Sequence, residues 1–342
     1  MNPSRKRKRP ISLLAIAALL AAAAAGYWFF GPYRGFGAQT FVDIEHGVSS
    51  RAIARDLVRH GVVRSHWAFL AIRALHPGAT LQAGEYRFAA AETPWAVFEK
   101  IRRGKVFFQA LTVPEGSNVF DISDLLKKLD SVTSQAFLSD VPDTQTIRDL
   151  DPLAPNLEGY LFPSTYRITH TTTAKRLCRM MTGDFRKTWA SLGGPSNGDA
   201  THRIVTIASL IEKETAIPEE RPLIASVFYN RLRLGMPLQC DPTAVYAALL
   251  DNRYTGVISK SDLASKNPYN TYMHPGLPPG PICNPGRASL EAALHPAKTD
   301  YLYFVAKPDG SGRHTFSTTL AEHLKAVLAY RMLKPSRERK RP

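Results

Sequence analysis

Thr206-Ile207-Ala208-Ser209-Leu210-Ile211-Glu212-Lys213-Glu214-Thr215 is an apolar helical stretch that ends by placing carboxylates where core is expected. On a helical wheel of about 100° per residue, Glu214 falls beside Ile211, Leu210 and Ile207. Glu212 falls beside Ser209, Ala208 and Val205, and Lys213 points elsewhere. The helix is apolar nearly all round from Ile204 to Ile211, so it is expected to be buried. A carboxylate held against an apolar face becomes neutral, paired or functional, because leaving it charged and alone is costly. A structural ion pair of Glu212 or Glu214 with Arg221 or Arg231 is one outcome. The other is a neutral carboxylic acid beside a groove, which is what glycosidic bond cleavage needs.

Length and charge bound the rest. The chain has 342 residues, enough for two or three domains, and 44% of them are hydrophobic, enough for sizeable cores. The net charge of +15 is concentrated at the ends: five cations lie in residues 5–9, and a net four in residues 334–341. The middle carries a mild basic bias and no basic stripe interleaved with aromatics, which excludes a nucleic-acid reader. Residues 11–30 hold no charge and span about 30 Å as a helix, the thickness of a membrane core. Tyr27, Trp28, Phe29 and Phe30 would form an aromatic belt at its exit. The basic residues 1–10 would stay in the cytoplasm as a tail, with everything beyond Phe30 outside. A cleaved signal peptide is the rival, disfavoured by the bulky aromatic end and full spanning length. Cys178, Cys240 and Cys283 show no CxxC spacing, and an odd count rules out a complete disulfide framework, so free buried thiols are expected.

Between the ends, hydrophobic periodicity divides the chain in two. A Gly-rich linker over 31–40 precedes a strand at 41–44, helices at about 49–60 and 65–75, a strand at 84–88 and a helix at 93–103. This strand–helix–helix–strand order resembles LysM-like modules, which bind glycan chains. With a boundary near Gly104–Pro114, the small module covers 41–112 and a larger mixed α+β domain covers 113–333. The larger domain opens with a helix at about 119–129. Residues 133–148 are polar and read as a surface excursion. Helices follow at 173–192, from Thr201 or His202 to Glu214, from Glu219 to about Leu234, and at 243–250. Residues 265–287 contain six prolines and three glycines, a shaped irregular surface rather than a linker. Strands at 301–305 and 314–317 and a closing helix at 320–333 complete the expected fold, leaving 334–342 as a basic tail.

Several stretches together resemble the YceG-like family, the endolytic murein transglycosylases. They include Ile211-Glu212-Lys213-Glu214-Thr215, Val227-Phe228-Tyr229-Asn230-Arg231-Leu232 and Leu238-Gln239-Cys240-Asp241-Pro242-Thr243. Further matches are Leu157-Glu158-Gly159-Tyr160-Leu161-Phe162-Pro163, Tyr269-Asn270-Thr271-Tyr272, Gly276-Leu277-Pro278-Pro279-Gly280 and His314-Thr315-Phe316. They occur in family order. The pattern departs at Ser164, where Asp is common, and at Cys240, where Thr or Ser is common.

The resemblance implies that Glu214 is the catalytic acid of a peptidoglycan lytic transglycosylase. Protonated Glu214 would donate to the oxygen between N-acetylmuramic acid and N-acetylglucosamine. The sugar's own C6 hydroxyl would then close a 1,6-anhydro ring, with Glu214 taking its proton, so one carboxylate suffices. The expected substrate-contacting residues are Glu158, Tyr160, Gln239, Asp241, Asn270, Tyr272 and His314, with core packing the alternative for Tyr160, Asn270 and Tyr272. Asp241 before Pro242-Thr243 also fits a helix-start role. No HxxxH or HExxH pattern exists, so no metal or cofactor is expected. The implied setting is the inner membrane with the catalytic domain periplasmic, acting on nascent glycan strands beside peptidoglycan synthases. A non-catalytic peptidoglycan-binding scaffold and a two-carboxylate muramidase are the alternative functions.

Overall fold

In the computed structural model, residues 11–129 and 131–333 are described, with side chains from residue 15 onward. The basic tails expected at 1–10 and 334–342 lie outside the described residues. The architecture is mixed α+β, and it divides into two compact units, Met1–Gln109 and Ala110–Pro342.

Helix α1 (Ile11–Phe30) carries no acidic or basic residue in its first or last turn. Among the described residues no helix is long and apolar enough to cross a membrane. The anchor expected over 11–30 includes four residues whose side chains are outside the description.

The first unit then builds β1 (Thr40–Ile44), α2 (Ser50–Arg59), α3 (His66–Leu75), β2 (Gly84–Phe88) and α4 (Pro94–Arg102). The two strands pair antiparallel, with Thr40 opposite Phe88 and Ile44 opposite Gly84. Each helix has a side-chain cap: Ser49 accepts from Ala52 N, Ser65 from Trp67 N and Thr93 from Ala96 N. Such caps satisfy amides that the helix itself leaves unpaired. Alternation puts Val42, Tyr86 and Phe88 on the inner face, against Leu57, Phe69, Phe98 and Ile101. All seven are fully buried. Each such side chain contributes roughly 1.5–3 kcal/mol by leaving water.

The second unit contains all but the first residue of β3 (Gln109–Thr112), then α5 (Val119–Leu126), α6 (Ser134–Asp140), β4 (Thr165–Ile168), α7 (Ala174–Ser191) and α8 (Gly198–Glu214). It continues with α9 (Arg221–Arg233), α10 (Asp241–Leu250), α11 (Lys260–Leu263), α12 (Arg287–Leu294), β5 (Tyr303–Ala306), β6 (His314–Ser317) and α13 (Leu320–Leu333). Strand β3 pairs with β4, and β5 with β6 in an antiparallel hairpin that joins Phe304 to Phe316 and Ala306 to His314. Around α8 pack α9, α10 and α12. Every residue from Val205 to Ile211 is buried, as the all-round apolar sequence requires.

Two local expectations are corrected, and one strand arises where none was expected. The polar stretch 133–148 is not all surface: Thr133 caps α6, which drives Phe137 fully into the core. Helix α8 starts at Gly198, capped by Asn197, rather than at Thr201 or His202. Asp199 in its first turn complements the helix dipole. Strand β4 arises in the turn-rich stretch 151–170, where its alternation places Tyr166 and Ile168 inward.

Candidate active site

Helix α8 stops at Glu214 because Thr215 turns extended (φ −147°, ψ 138°), and Thr215 Oγ1 then accepts from Ile217 N at 3.0 Å. Pro218 follows, which cannot continue the helical ladder. The last helical residue thus carries its carboxyl out of the core end into a cleft of about 290 Å³. The walls come from separate elements: Phe228 and Arg231 of α9, Gln239 and Cys240 before α10, Asp241 at its start, Tyr272, Phe304 of β5 and His323 of α13.

Glu214 is half-buried, and its Oε1 receives the Cys240 thiol at 2.9 Å. Burial pushes its carboxyl above the ordinary value. The thiol pulls it down, the Asp241 charge pushes it up, and His314 and Arg231 pull it down further. Among the described residues Arg231 forms no ion pair with the acid. Its Nε donates to Leu302 O at 2.7 Å and its Nη1 to Leu238 O at 2.8 Å, which fixes the guanidinium in the wall. It also lies over the Tyr303 ring at 5.2 Å. His323 stacks on the same Tyr303 at 5.1 Å, and its buried Nδ1 has no partner among the described residues. Burial, then the Arg231 charge, push the His323 imidazole down, toward the neutral form.

Glu212 has the structural role left open by the sequence. Its Oε2 accepts from Gly286 N at 2.9 Å, and its Oε1 lies 3.7 Å from Arg221 Nη2. Glu115 shares this spot. Burial pushes its carboxyl up, the Glu212 charge adds to that, and Arg221 opposes it. A Cβ on Gly286 would sit 2.0 Å from Glu115 Oε1, so only glycine permits this approach.

The residues expected to contact substrate divide into two groups. Gln239, Asp241 and Tyr272 line the cleft with Glu214. Gln239 holds a left-handed φ of +50°, a strained conformation for a residue with a side chain. Asp241 starts α10 and accepts a hydrogen bond from the Tyr272 hydroxyl. His314 stands behind the cleft: its ring pairs with Glu220 Oε2 at 2.7 Å and meets Phe304 edge-on at 5.5 Å. Glu158, Tyr160 and Asn270 are interior braces. Glu158 Oε2 accepts from Val119 N at 2.9 Å and Tyr246 Oη at 3.0 Å, and its Oε1 accepts from Asn284 Nδ2 at 2.9 Å. The Tyr160 hydroxyl donates to Asp151, which also meets His202 Nδ1 at 2.7 Å. The Asn270 amide nitrogen donates to the carbonyls of Leu263 and Ser265, and its oxygen accepts from Tyr272 N at 3.1 Å. Asn270 therefore shapes the loop that presents Tyr272, and its own side chain is fully buried.

Sequence reasoning missed Phe228, Phe304, Tyr303 and His323 as parts of this region. His323 carries no local signal: it reaches the cleft because the β5–β6 hairpin folds α13 back. A larger groove of about 590 Å³ runs between that hairpin and α13. Its carboxylate, Glu322, accepts from Thr318 N and Thr319 N at the start of α13. Those amides hold it ionised and below its ordinary range, so it is no acid donor. The three cysteines are free and buried. Among the described residues no cluster of three or more His, Cys, Asp or Glu is placed to hold a metal ion.

A mixed α+β domain with a half-buried acid at the end of a buried helix, facing a polar cleft, is the class that fold and site define. The chain belongs to the YceG-like family, whose model matches residues 42–329. It is similar to the endolytic murein transglycosylase of Bacillus subtilis (strain 168), 36% identical over 308 residues, 84% of each chain. It is also similar to the endolytic murein transglycosylase of Streptococcus pneumoniae serotype 2, 32% identical over 296 residues. That match covers 78% of this chain and 54% of the relative, so the chain spans about half of that longer protein. Among solved structures, a yceG-like protein from Listeria monocytogenes matches with a TM-score of 0.53 at 32% identity. The match covers 84% of this chain and 98% of that one.

Proposed function

We propose that this protein is an endolytic peptidoglycan lytic transglycosylase with Glu214 as its catalytic acid. The observation that carries the reading is the state of Glu214: a carboxyl raised by burial, opening onto a cleft, with no cation bound to it among the described residues. A protonated carboxyl of this kind donates to a glycosidic oxygen as the bond to N-acetylmuramic acid breaks. Positive charge develops on the sugar ring, and the ionised Glu214 left behind stabilises it. The same carboxylate then removes the proton of the C6 hydroxyl as that oxygen closes the 1,6-anhydro ring. Donor and acceptor are one group, so no second carboxylate is required. Asp241 has a different task. It is tied to Tyr272, and its charge beside Glu214 favours the protonated acid. Gln239 and Tyr272 supply an amide and a hydroxyl-bearing ring to the sugar, and Arg231 lines the same wall.

Naming of relatives as endolytic murein transglycosylases supports the substrate class. The uncharged residues 11–30 support a single-pass anchor in the inner membrane, with the catalytic unit outside the cytoplasm. There it would meet nascent strands beside the synthases that make them, and cleavage would end strand growth. The β1–α2–α3–β2 arrangement of the first unit supports a LysM-like, glycan-contacting role. The test uses isolated sacculi. Wild-type protein is expected to release soluble muropeptides, and a folded Glu214→Gln protein to release at least about a hundredfold less. Comparable release by the variant would remove Glu214 from the reaction.

A further inference from the structure

We propose that Cys240 is the positioning residue of Glu214: its thiol occupies Oε1, which leaves Oε2 to carry the acidic proton toward the cleft. The inference rests on the reading of Glu214 as the acid. Its geometric basis is the 2.9 Å approach of Cys240 Sγ to Glu214 Oε1, while Oε2 has no hydrogen-bond partner among the described residues. A thiol has one hydrogen to give. Once it points at Oε1, a proton on the carboxyl belongs on the other oxygen.

The thiol is placed by a closed ring of buried hydrogen bonds. Cys240 N donates to Thr271 Oγ1 at 3.0 Å. The Thr271 and Thr243 hydroxyls meet at 2.9 Å, and Thr243 Oγ1 donates back to Cys240 O at 2.6 Å. Since the Thr243 proton goes to Cys240 O, Thr271 must donate to Thr243, and every hydrogen in the ring is assigned. Thr243 is fully buried, and Thr271 and Cys240 nearly so. The left-handed backbone of Gln239 immediately before Cys240 is the conformation this placement demands. Burial, and the Glu214 charge after it, push the Cys240 thiol well up, so it remains an S–H donor at neutral pH. A thiol is also a weak donor: it orients the carboxyl without drawing off its proton as strongly as a hydroxyl would.

The other titratable or charged groups facing Glu214 come from each neighbouring element. They are Arg231 on α9, Asp241 on α10, Tyr272 on the loop, His314 on β6 and His323 on α13. None of them donates a hydrogen bond to Glu214, which leaves its orientation to Cys240.

The test is the pH–rate profile of the full chain on isolated sacculi, for wild type, Cys240→Ala and Cys240→Ser, with Glu214→Gln as control. An acid works while protonated, so the rate falls as pH rises through its pKa. Removing the donor in Cys240→Ala raises that pKa and moves the falling limb to higher pH, by about half a unit or more. It also lowers kcat, because the carboxyl loses its orientation, and leaves KM nearly unchanged. The stronger hydroxyl donor of Cys240→Ser moves the limb to lower pH and keeps kcat within about tenfold of wild type. A cysteine that merely fills space would scale the profile without moving the limb. If Cys240→Ala does not fold, the direction of the Cys240→Ser limb decides alone. An unmoved limb with Glu214→Gln inactive overturns the positioning role and leaves the acid assignment standing. Activity in Glu214→Gln overturns the assignment beneath it instead.

Discussion

Glu158 yields a quantitative test of how the second unit is held together, through stability rather than activity. The carboxyl is 1% exposed, and burial pushes it from 4.5 up to about 8 against the pull of hydrogen bonds led by Val119 N. The folded protein therefore keeps Glu158 neutral over a range in which the unfolded chain ionises it. Because the folded value lies above the unfolded one, its contribution to stability is full below pH 4.5 and is lost as pH rises toward 8. At about 1.4 kcal/mol per pH unit, that interval from 4.5 to about 8 amounts to about 5 kcal/mol. The perturbation is Glu158→Gln, which cannot ionise. Its fixed cost from mismatched donors is the same at every pH, so only the slope of the wild-type-minus-variant difference matters. Chemical unfolding at half-unit steps between pH 4.5 and 8 measures it. The difference is expected to fall by several kcal/mol across the window, in disfavour of the wild type at high pH. A difference independent of pH would mean that Val119, Tyr246 and Asn284 hold the carboxylate ionised in the folded state, and would refute the reasoning.

Two further outcomes follow from the same packing. Gly159 has φ +90°, and a Cβ there would lie 2.4 Å from Pro281 Cγ and 3.1 Å from Val205 Cγ1. Gly159→Ala is therefore expected to destabilise the protein by about 2–5 kcal/mol from backbone strain and overpacking, read as a loss in urea midpoint. Glu212→Gln keeps an acceptor for Gly286 N and is expected to retain sacculus cleavage within about tenfold, since Glu212 faces Arg221 rather than the cleft. A folded but inactive Glu212→Gln protein would reverse the choice between the two acids.

What the sequence made legible follows from period and chemistry. The run before Glu212, apolar nearly all round with only Thr206 and Ser209 polar, reads as a buried helix because little solvent-facing side is left. The capping residues Ser49, Ser65, Thr93 and Thr173 mark helix starts by a local bond that any reader of the chain can locate. Of the two acids at the end of α8, the wheel gives Glu214 the more apolar company and the family resemblance points to it, but neither reveals their partners. Those are tertiary: Arg221 and Gly286 meet Glu212, and Cys240 meets Glu214. The irregular stretch 265–287 has no period, so Asn270 and Tyr272, two residues apart, could not be assigned opposite roles in advance. One spends its amide inside the loop, and the other reaches Asp241 in the cleft. Helix α6 escaped notice because it is only seven residues long and buries one of its own side chains, Phe137.

The central claim is that one carboxyl, Glu214, first gives and then takes a proton, so that the sugar closes on itself. Mass spectrometry of muropeptides released from sacculi by the wild-type protein tests this most directly. The account predicts 1,6-anhydro ends, one water lighter than reducing ends, and their disappearance with Glu214→Gln. Reducing ends in the wild-type digest would contradict it, because they require an activated water and a second carboxylate in the role denied to Asp241.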